Sequence, residues 1–68
     1  MTEHVDRNRA KQCVDNAVQS IDHTLVWIKR LADAFERRGL KKETEFLMNA
    51  ARALIEIQEQ LKRFREVF

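Results

Sequence analysis

Residues able to perform acid–base, nucleophilic or metal chemistry are few and scattered in this 68-residue chain, which has two histidines and one cysteine. A helical di-iron site needs an acidic residue three positions before a histidine, and neither His4 nor His23 has one. Cys13 has no nearby cysteine or histidine with which to bind zinc. The lone Gly39 excludes a glycine-rich phosphate loop. The pattern predicts no catalytic residue, no metal site and no cofactor, and therefore a protein that is not an enzyme.

Length and composition narrow the class further. Thirteen Lys and Arg residues against eleven Asp and Glu residues leave a net charge of +2, and there is no proline. A single glycine cannot supply the turns of a sandwich or barrel, and one cysteine cannot build a disulfide scaffold. The longest apolar run, Leu25–Ile28, is too short to span a membrane. We expect a single all-α domain over residues 1–68, with residues 1–5 frayed, in the reducing cytoplasm and without a membrane or small-molecule partner.

One break divides the chain into two long helices. Glycine adopts the left-handed conformation that ends a helix at little cost, and Gly39 lies near the middle of the sequence. In that kind of helix end, Leu40 is expected to meet Phe35. We predict helices over about residues 6–38 and 41–67. A connection this short makes the two helices an antiparallel hairpin.

Apolar residues recur every three or four positions in both halves, the heptad spacing of helices that pack at a shallow angle. One such seam in each helix, with an adjoining leucine in the first, forms the predicted core of the hairpin and its dimer. These residues are Val14, Val18, Ile21, Leu25, Ile28, Leu31 and Phe35 in the first helix, and Leu47, Leu54, Ile57, Leu61 and Phe64 in the second, with Ala32, Ala50 and Phe68 continuing the same spacing.

The apolar surface is wider than a two-helix hairpin needs, because further apolar and small residues flank both seams. A chain this short buries only about 60% of the surface of its unfolded form. Each large apolar side chain left exposed forgoes roughly 1.5–3 kcal/mol of stabilisation. We therefore expect two hairpins to pack face to face as a homodimeric four-helix bundle.

Five large apolar residues at the seam edges are candidate contacts for a different protein: Val26, Trp27, Phe46, Met48 and Ile55. Tryptophan is enriched among the residues that dominate binding energy at interfaces, and methionine suits an adaptable binding surface. Val26 points almost away from the main seam, so packing inside the hairpin does not explain it. The sequence thus predicts a small regulator, such as an anti-activator, inhibitor or assembly factor. It would bind a partner protein through exposed apolar helix edges and mask or bridge it.

Basic residues support an alternative function. The candidate nucleic-acid contacts are Arg9, Lys29, Arg30, Arg37, Arg38, Lys41 and Lys42. Clusters of Lys and Arg attract phosphate through charge and counterion release. In length and shape the predicted architecture also resembles the Rop-type regulators of plasmid copy number, dimeric helical hairpins that bind paired RNA loops. That resemblance implies RNA binding, but it covers no contact motif residue by residue. Because the net charge is only +2 and acids interrupt the basic faces, we favour the protein-binding hypothesis.

Overall fold

The structure, a computed structural model, describes residues 6–68. Helix α1 spans Arg7–Arg37 and helix α2 spans Lys41–Arg65, and the two pack against each other as a hairpin 56 Å long. No strand occurs within the described residues. The predicted all-α hairpin is confirmed, and each helix end lies within two residues of its predicted position. The expected fraying of residues 1–5 lies outside the described residues.

Helix α1 begins at a capping aspartate. The Asp6 carboxylate oxygen Oδ1 accepts hydrogen bonds from the backbone N–H groups of Asn8 (3.0 Å) and Arg9 (3.4 Å). These groups have no acceptor inside the helix, so the cap satisfies donors that would otherwise depend on water. Helix α2 has no side-chain cap, because Leu40 occupies the equivalent position. Its start therefore depends on the turn that precedes it.

The turn at Gly39 ends α1 with two backbone hydrogen bonds. Gly39 has a φ of +72°, and its N–H donates to the carbonyl oxygen of Glu36 over 3.0 Å. The N–H of Leu40 donates to the carbonyl oxygen of Phe35, also over 3.0 Å, which completes a Schellman motif. A Cβ atom built at Gly39 would meet nothing within 4 Å. The requirement for glycine therefore comes from the backbone conformation and not from crowding.

The interface between the helices is a single seam with few fully buried side chains. In α1 the buried or half-buried residues of the seam are Val14, Val18, Ile21, Leu25, Ile28, Ala32 and Phe35. In and just after α2 they are Thr44, Leu47, Ala51, Leu54, Gln58, Leu61, Arg65 and Phe68. The buried apolar residues are Val14, Leu25, Ala32 and Ala51. A core of this size is small for a chain that carries so many apolar side chains.

The seam of α2 differs from the predicted core. Ala51 and Gln58 are only 5% and 6% exposed, where the apolar spacing predicted Ala50 and Ile57. Ile57 and Phe64 are 44% and 53% exposed, so in the hairpin they do not pack between the helices. Both seams include the leucines at positions 47, 54 and 61, so apolar spacing alone does not distinguish them. The prediction chose the alternative with more apolar residues.

Hydrogen-bond partners on α1 explain why Gln58 takes the buried position. Its amide nitrogen Nε2 donates to the backbone oxygen of Val18 over 2.9 Å and to Asp22 Oδ1 over 2.8 Å. On the same side of the seam, Arg65 Nε donates to Asp15 Oδ1 over 2.8 Å. A buried amide is tolerated only when it has partners. These contacts hold α2 in a rotation about its axis that turns Ile57 outward.

Leu31 was also predicted in the core and is 46% exposed in the hairpin. It directly precedes the buried Ala32, and a step of one residue turns a side chain about 100° around a helix with 3.6 residues per turn. Leu31 therefore flanks the seam on its outer edge. A place for Leu31, Ile57 and Phe64 in the core of a dimer stays a prediction.

Candidate protein-interaction face

The outward-turned residues of both helices lie on one side of the hairpin. In α1 each flanking residue stands one position before a seam residue, as Leu31 stands before Ala32. In α2 the same relation holds for Ile57 and Gln58. Equivalent heptad positions of two antiparallel helices lie on the same side of the pair. The flanks of α1 and α2 therefore form one continuous surface.

We call this surface the charge-free face and define it by the outward-facing positions of both helices. Its residues are Cys13, Ala17, Ser20, Thr24, Trp27, Leu31 and Ala34 in α1, and Phe46, Ala50, Ala53, Ile57, Gln60, Phe64 and Val67 in and just after α2. None of these residues is charged, although charged residues make up 35% of the chain; Ala17 and Ala50 among them are half-buried, and Glu43, one position before Thr44, ends the face at the turn. From Cys13 to Ala34 the face runs about 32 Å at a rise of ~1.5 Å per residue. An outer helix surface of this length ordinarily carries charge.

Large side chains on the charge-free face are widely exposed. Trp27 is 64% exposed and Phe46 is 73% exposed. The guanidinium carbon of Arg30 lies 5.0 Å from the centroid of the indole ring. Phe46 lines a shallow depression near the turn together with Phe35 and Leu47, and the charged Lys42 and Glu43 line it too. The hairpin alone therefore leaves its largest aromatic surfaces in water.

One polar side chain on this face is engaged within its own helix. The Thr24 hydroxyl donates to the carbonyl oxygen of Ser20 over 3.0 Å. At the far end, Phe64 packs edge-to-face against Phe68 with ring centroids 5.1 Å apart. Covering these residues with another apolar surface would desolvate no charged group among them, whereas the Ser20 hydroxyl and the Gln60 amide would need partners in the contact.

The five residues predicted as partner contacts are divided between two sides. Trp27 and Phe46 lie on the charge-free face, whereas Met48 lines a shallow depression on the other side with Lys29 and Asp33. Ile55 shares the helical position of Met48 one heptad later, and Val26 lies between the charged Asp22 and Lys29 on α1. All five are exposed. The structure does not bring them together into one site.

Two members of the charge-free face, Ile57 and Phe64, had been predicted as core, and Val67 had not been predicted as a contact. The pattern that identifies them is present in the sequence, since each stands one or two positions before a seam residue of α2. That pattern identifies outward-facing residues only when the seam of α2 is already known. If the seam is assumed to include Ile57, then Ile57 and Phe64 are assigned to the core instead.

The predicted nucleic-acid contacts are exposed but not contiguous. Six of them surround the turn, whereas Arg9 lies 28 positions before Arg37 on α1, about 42 Å away at ~1.5 Å per residue. Acids lie among the basic residues, and Glu36 shares a shallow depression with Lys41 and Glu45. The ion pairs in the described part of the chain, Glu59–Lys62 and Asp15–Arg65, involve none of the six.

Other chemistry is sparse in the part of the chain that the structure describes. Across residues 6–68, no three His, Cys, Asp or Glu side chains approach closely enough to hold a metal ion. Cys13 is a free, exposed thiol. Neither α1 nor α2 is long and apolar enough to cross a lipid bilayer. No family model matches the chain, and searches of curated proteins and of solved structures find no significant match.

Proposed function

We propose that this protein is a non-enzymatic interaction module that binds an apolar helical surface of a partner protein through the charge-free face, and so masks or bridges that surface. The observation that carries the proposal is the continuous exposed apolar face without a charged residue. The centres of protein interfaces are depleted in charge and enriched in aromatic residues. Trp27, Phe46 and Phe64 supply such residues at 64%, 73% and 53% exposure. Small inhibitors, anti-activators and assembly factors work in this way.

The shape of the face favours a helical partner. The face follows two antiparallel helices over most of their length. The hairpin is far longer than it is wide, at 56 × 20 × 15 Å. An amphipathic helix laid along such a surface buries its apolar side chains at every turn. Arg30 lies at the edge of the charge-free face, 5.0 Å from the Trp27 ring. At the edge of an interface, an exposed cation can contact acidic residues of the partner while both stay hydrated.

We assign this function to the cytoplasm. Support comes from Cys13, whose thiol is free and exposed. Exposed single thiols suit a reducing compartment, whereas oxidising compartments convert them to disulfides.

A capture experiment with matched variants tests the proposal. The tagged full chain and its Trp27→Ala and Phe46→Ala variants are compared with Val26→Ala and Met48→Ala, which truncate exposed apolar residues on the other side. Circular dichroism checks that each variant keeps its helices. We expect a protein captured by the wild type to be lost from the Trp27→Ala and Phe46→Ala samples and retained by the other two. Capture that all folded variants retain, or that only Val26→Ala or Met48→Ala abolishes, contradicts the proposal.

RNA binding is the second candidate, and it is favoured by the basic residues around the turn that form no ion pair in the described chain. Each phosphate neutralised by Lys or Arg makes the affinity fall with salt. A structured RNA hairpin should then bind with a negative salt slope that Lys41→Gln and Lys42→Gln reduce. If the hairpin RNA does not bind even at low salt, this candidate is excluded.

A further inference from the structure

We infer that, in the absence of another protein, the charge-free face is covered by a second copy of this chain, so that two hairpins form a four-helix bundle with two-fold symmetry. The inference rests on the proposed function, because it uses the same face. A second copy of the chain and any other partner protein would then compete for the same surface.

The exposed area is the first support. The chain exposes 6010 Å² of surface. A compact monomer of 8.1 kDa is expected to expose only about 4500 Å². The difference, about 1500 Å², exceeds the roughly 800 Å² that each partner contributes to a stable interface. The hairpin therefore exposes more surface than a compact monomer of its mass, by an amount that a dimer of ordinary size could bury.

The electrostatics of the face also favour a second copy. In a two-fold contact residue i of one copy meets residue j of the other and j meets i, so a charge on the face would be desolvated in both copies and one near the axis would meet its own copy. Between Cys13 and Ala34 in α1, and between Phe46 and Val67 in and after α2, the charge-free face presents no charge. The other side of the hairpin carries Asp15, Asp22 and Lys29 along the equivalent positions of α1, and a symmetric contact there would desolvate them.

The sizes of the side chains make the face complementary to itself. In α1 the large residues Trp27 and Leu31 lie toward the turn, whereas small residues occupy the face toward the N-terminus. In α2 the middle of the face is small, at Ala50 and Ala53, and the large aromatic residues lie toward its ends. A two-fold arrangement with both turns at the same end sets α1 opposite α2 of the second copy, and Trp27 then lies level with Ala50 and Ala53, which are at a similar distance along the chain from Gly39. Large residues opposite small ones give the interdigitated packing that helical bundles need.

Two isoleucines of α2 provide a matched test. Ile57 lies on the charge-free face and Ile55 on the other side, and they are 44% and 45% exposed. We expect light scattering coupled to size exclusion to give twice the 8.1 kDa chain mass for the wild type and for Ile55→Glu at about 100 µM. Ile57→Glu should give the mass of one chain. A wild type of single-chain mass at this concentration overturns the inference, as does dissociation caused by Ile55→Glu but not by Ile57→Glu.

A second measurement uses the wild type only, so its outcome does not depend on whether Ile57→Glu folds as a single hairpin. The chain has one tryptophan, Trp27, which moves from 64% exposure to an apolar contact when the dimer forms. Dilution should therefore shift its fluorescence emission to the red, and the thermal midpoint should fall with concentration. Emission and midpoint that do not change over a thousandfold dilution contradict the inference.

The failure of this inference is distinguishable from failure of the proposed function. A monomeric wild type that still captures a protein through Trp27 and Phe46 refutes the second copy alone. A dimer whose face captures no other protein refutes the proposed function alone. If both hold, adding untagged chain should compete with the captured protein for the tagged hairpin, because both need the same surface.

Discussion

Replacing Gln58 with alanine tests the contact that orients the two helices. Gln58 is 6% exposed, and its amide nitrogen donates to the Val18 carbonyl oxygen and to Asp22 Oδ1. A neutral hydrogen bond contributes about 0.5–1.5 kcal/mol net, and a bond to a charged group about 1.5–3 kcal/mol. We take the lower end for both, because Asp22 is exposed and stays hydrated when the amide is removed. Val18 keeps its partner inside α1. The expected loss is therefore about 2 kcal/mol of unfolding free energy.

The assay is urea or thermal unfolding followed by circular dichroism at one fixed chain concentration, since association makes stability depend on concentration. For a chain of this size, a loss of ~2 kcal/mol lowers the melting temperature by about 10 °C. Gln19→Ala is the matched control, because it removes the same side chain from an exposed position of α1. It should change the unfolding free energy by less than about 0.5 kcal/mol.

A double-mutant cycle separates the hydrogen bond from the loss of packed atoms. Gln58→Ala, Asp22→Ala and the double variant should give a coupling energy of about 1 kcal/mol, because the two side chains are in direct contact at 2.8 Å. A coupling energy near zero, or equal losses for Gln58→Ala and Gln19→Ala, would refute the reasoning that these partners select the seam of α2.

Substitutions at three further positions test local features. Gly39→Ala should cost about 1 kcal/mol of unfolding free energy, because the residue has a φ of +72°. Gly39→Asn should cost less, since asparagine tolerates that conformation. Equal losses for the two variants would count against this account of the turn. Asp6→Ala should lower the unfolding free energy by about 1 kcal/mol through loss of the helix cap. In the same unfolding assay, Asp6→Asn should keep most of the stabilisation that the cap provides. Removing the exposed Asp15–Arg65 pair with Asp15→Asn should cost less than about 0.5 kcal/mol, and the effect should vanish at 1 M salt; a larger loss that persists in salt would mean that the pair is not a solvent-screened contact.

Local sequence determined the division of the chain into two helices. The conformation of Gly39 and the hydrogen bonds around it involve residues within a single turn, so a lone glycine in a helical pattern was enough to locate the end of α1. The seam of α1 was also predictable from the sequence, because its buried residues Val14, Leu25 and Ala32 all lie on the predicted heptad spacing. The turn arises from contacts between neighbours along the chain, and the seam of α1 follows from the apolar spacing within that one helix.

The rotation of α2 was decided only by tertiary structure. A heptad pattern through the leucines at 47, 54 and 61 is compatible with Ile57 or with Gln58 facing α1, and apolar content favours Ile57. Gln58 lies there because acceptors on α1, 36 and 40 residues away in sequence, satisfy its amide. That rotation in turn sets Ile57 and Phe64 beside Trp27 on one face and leaves Met48 and Ile55 on the other. Spacing along one helix cannot specify this, since the side on which a residue lies depends on the partner helix.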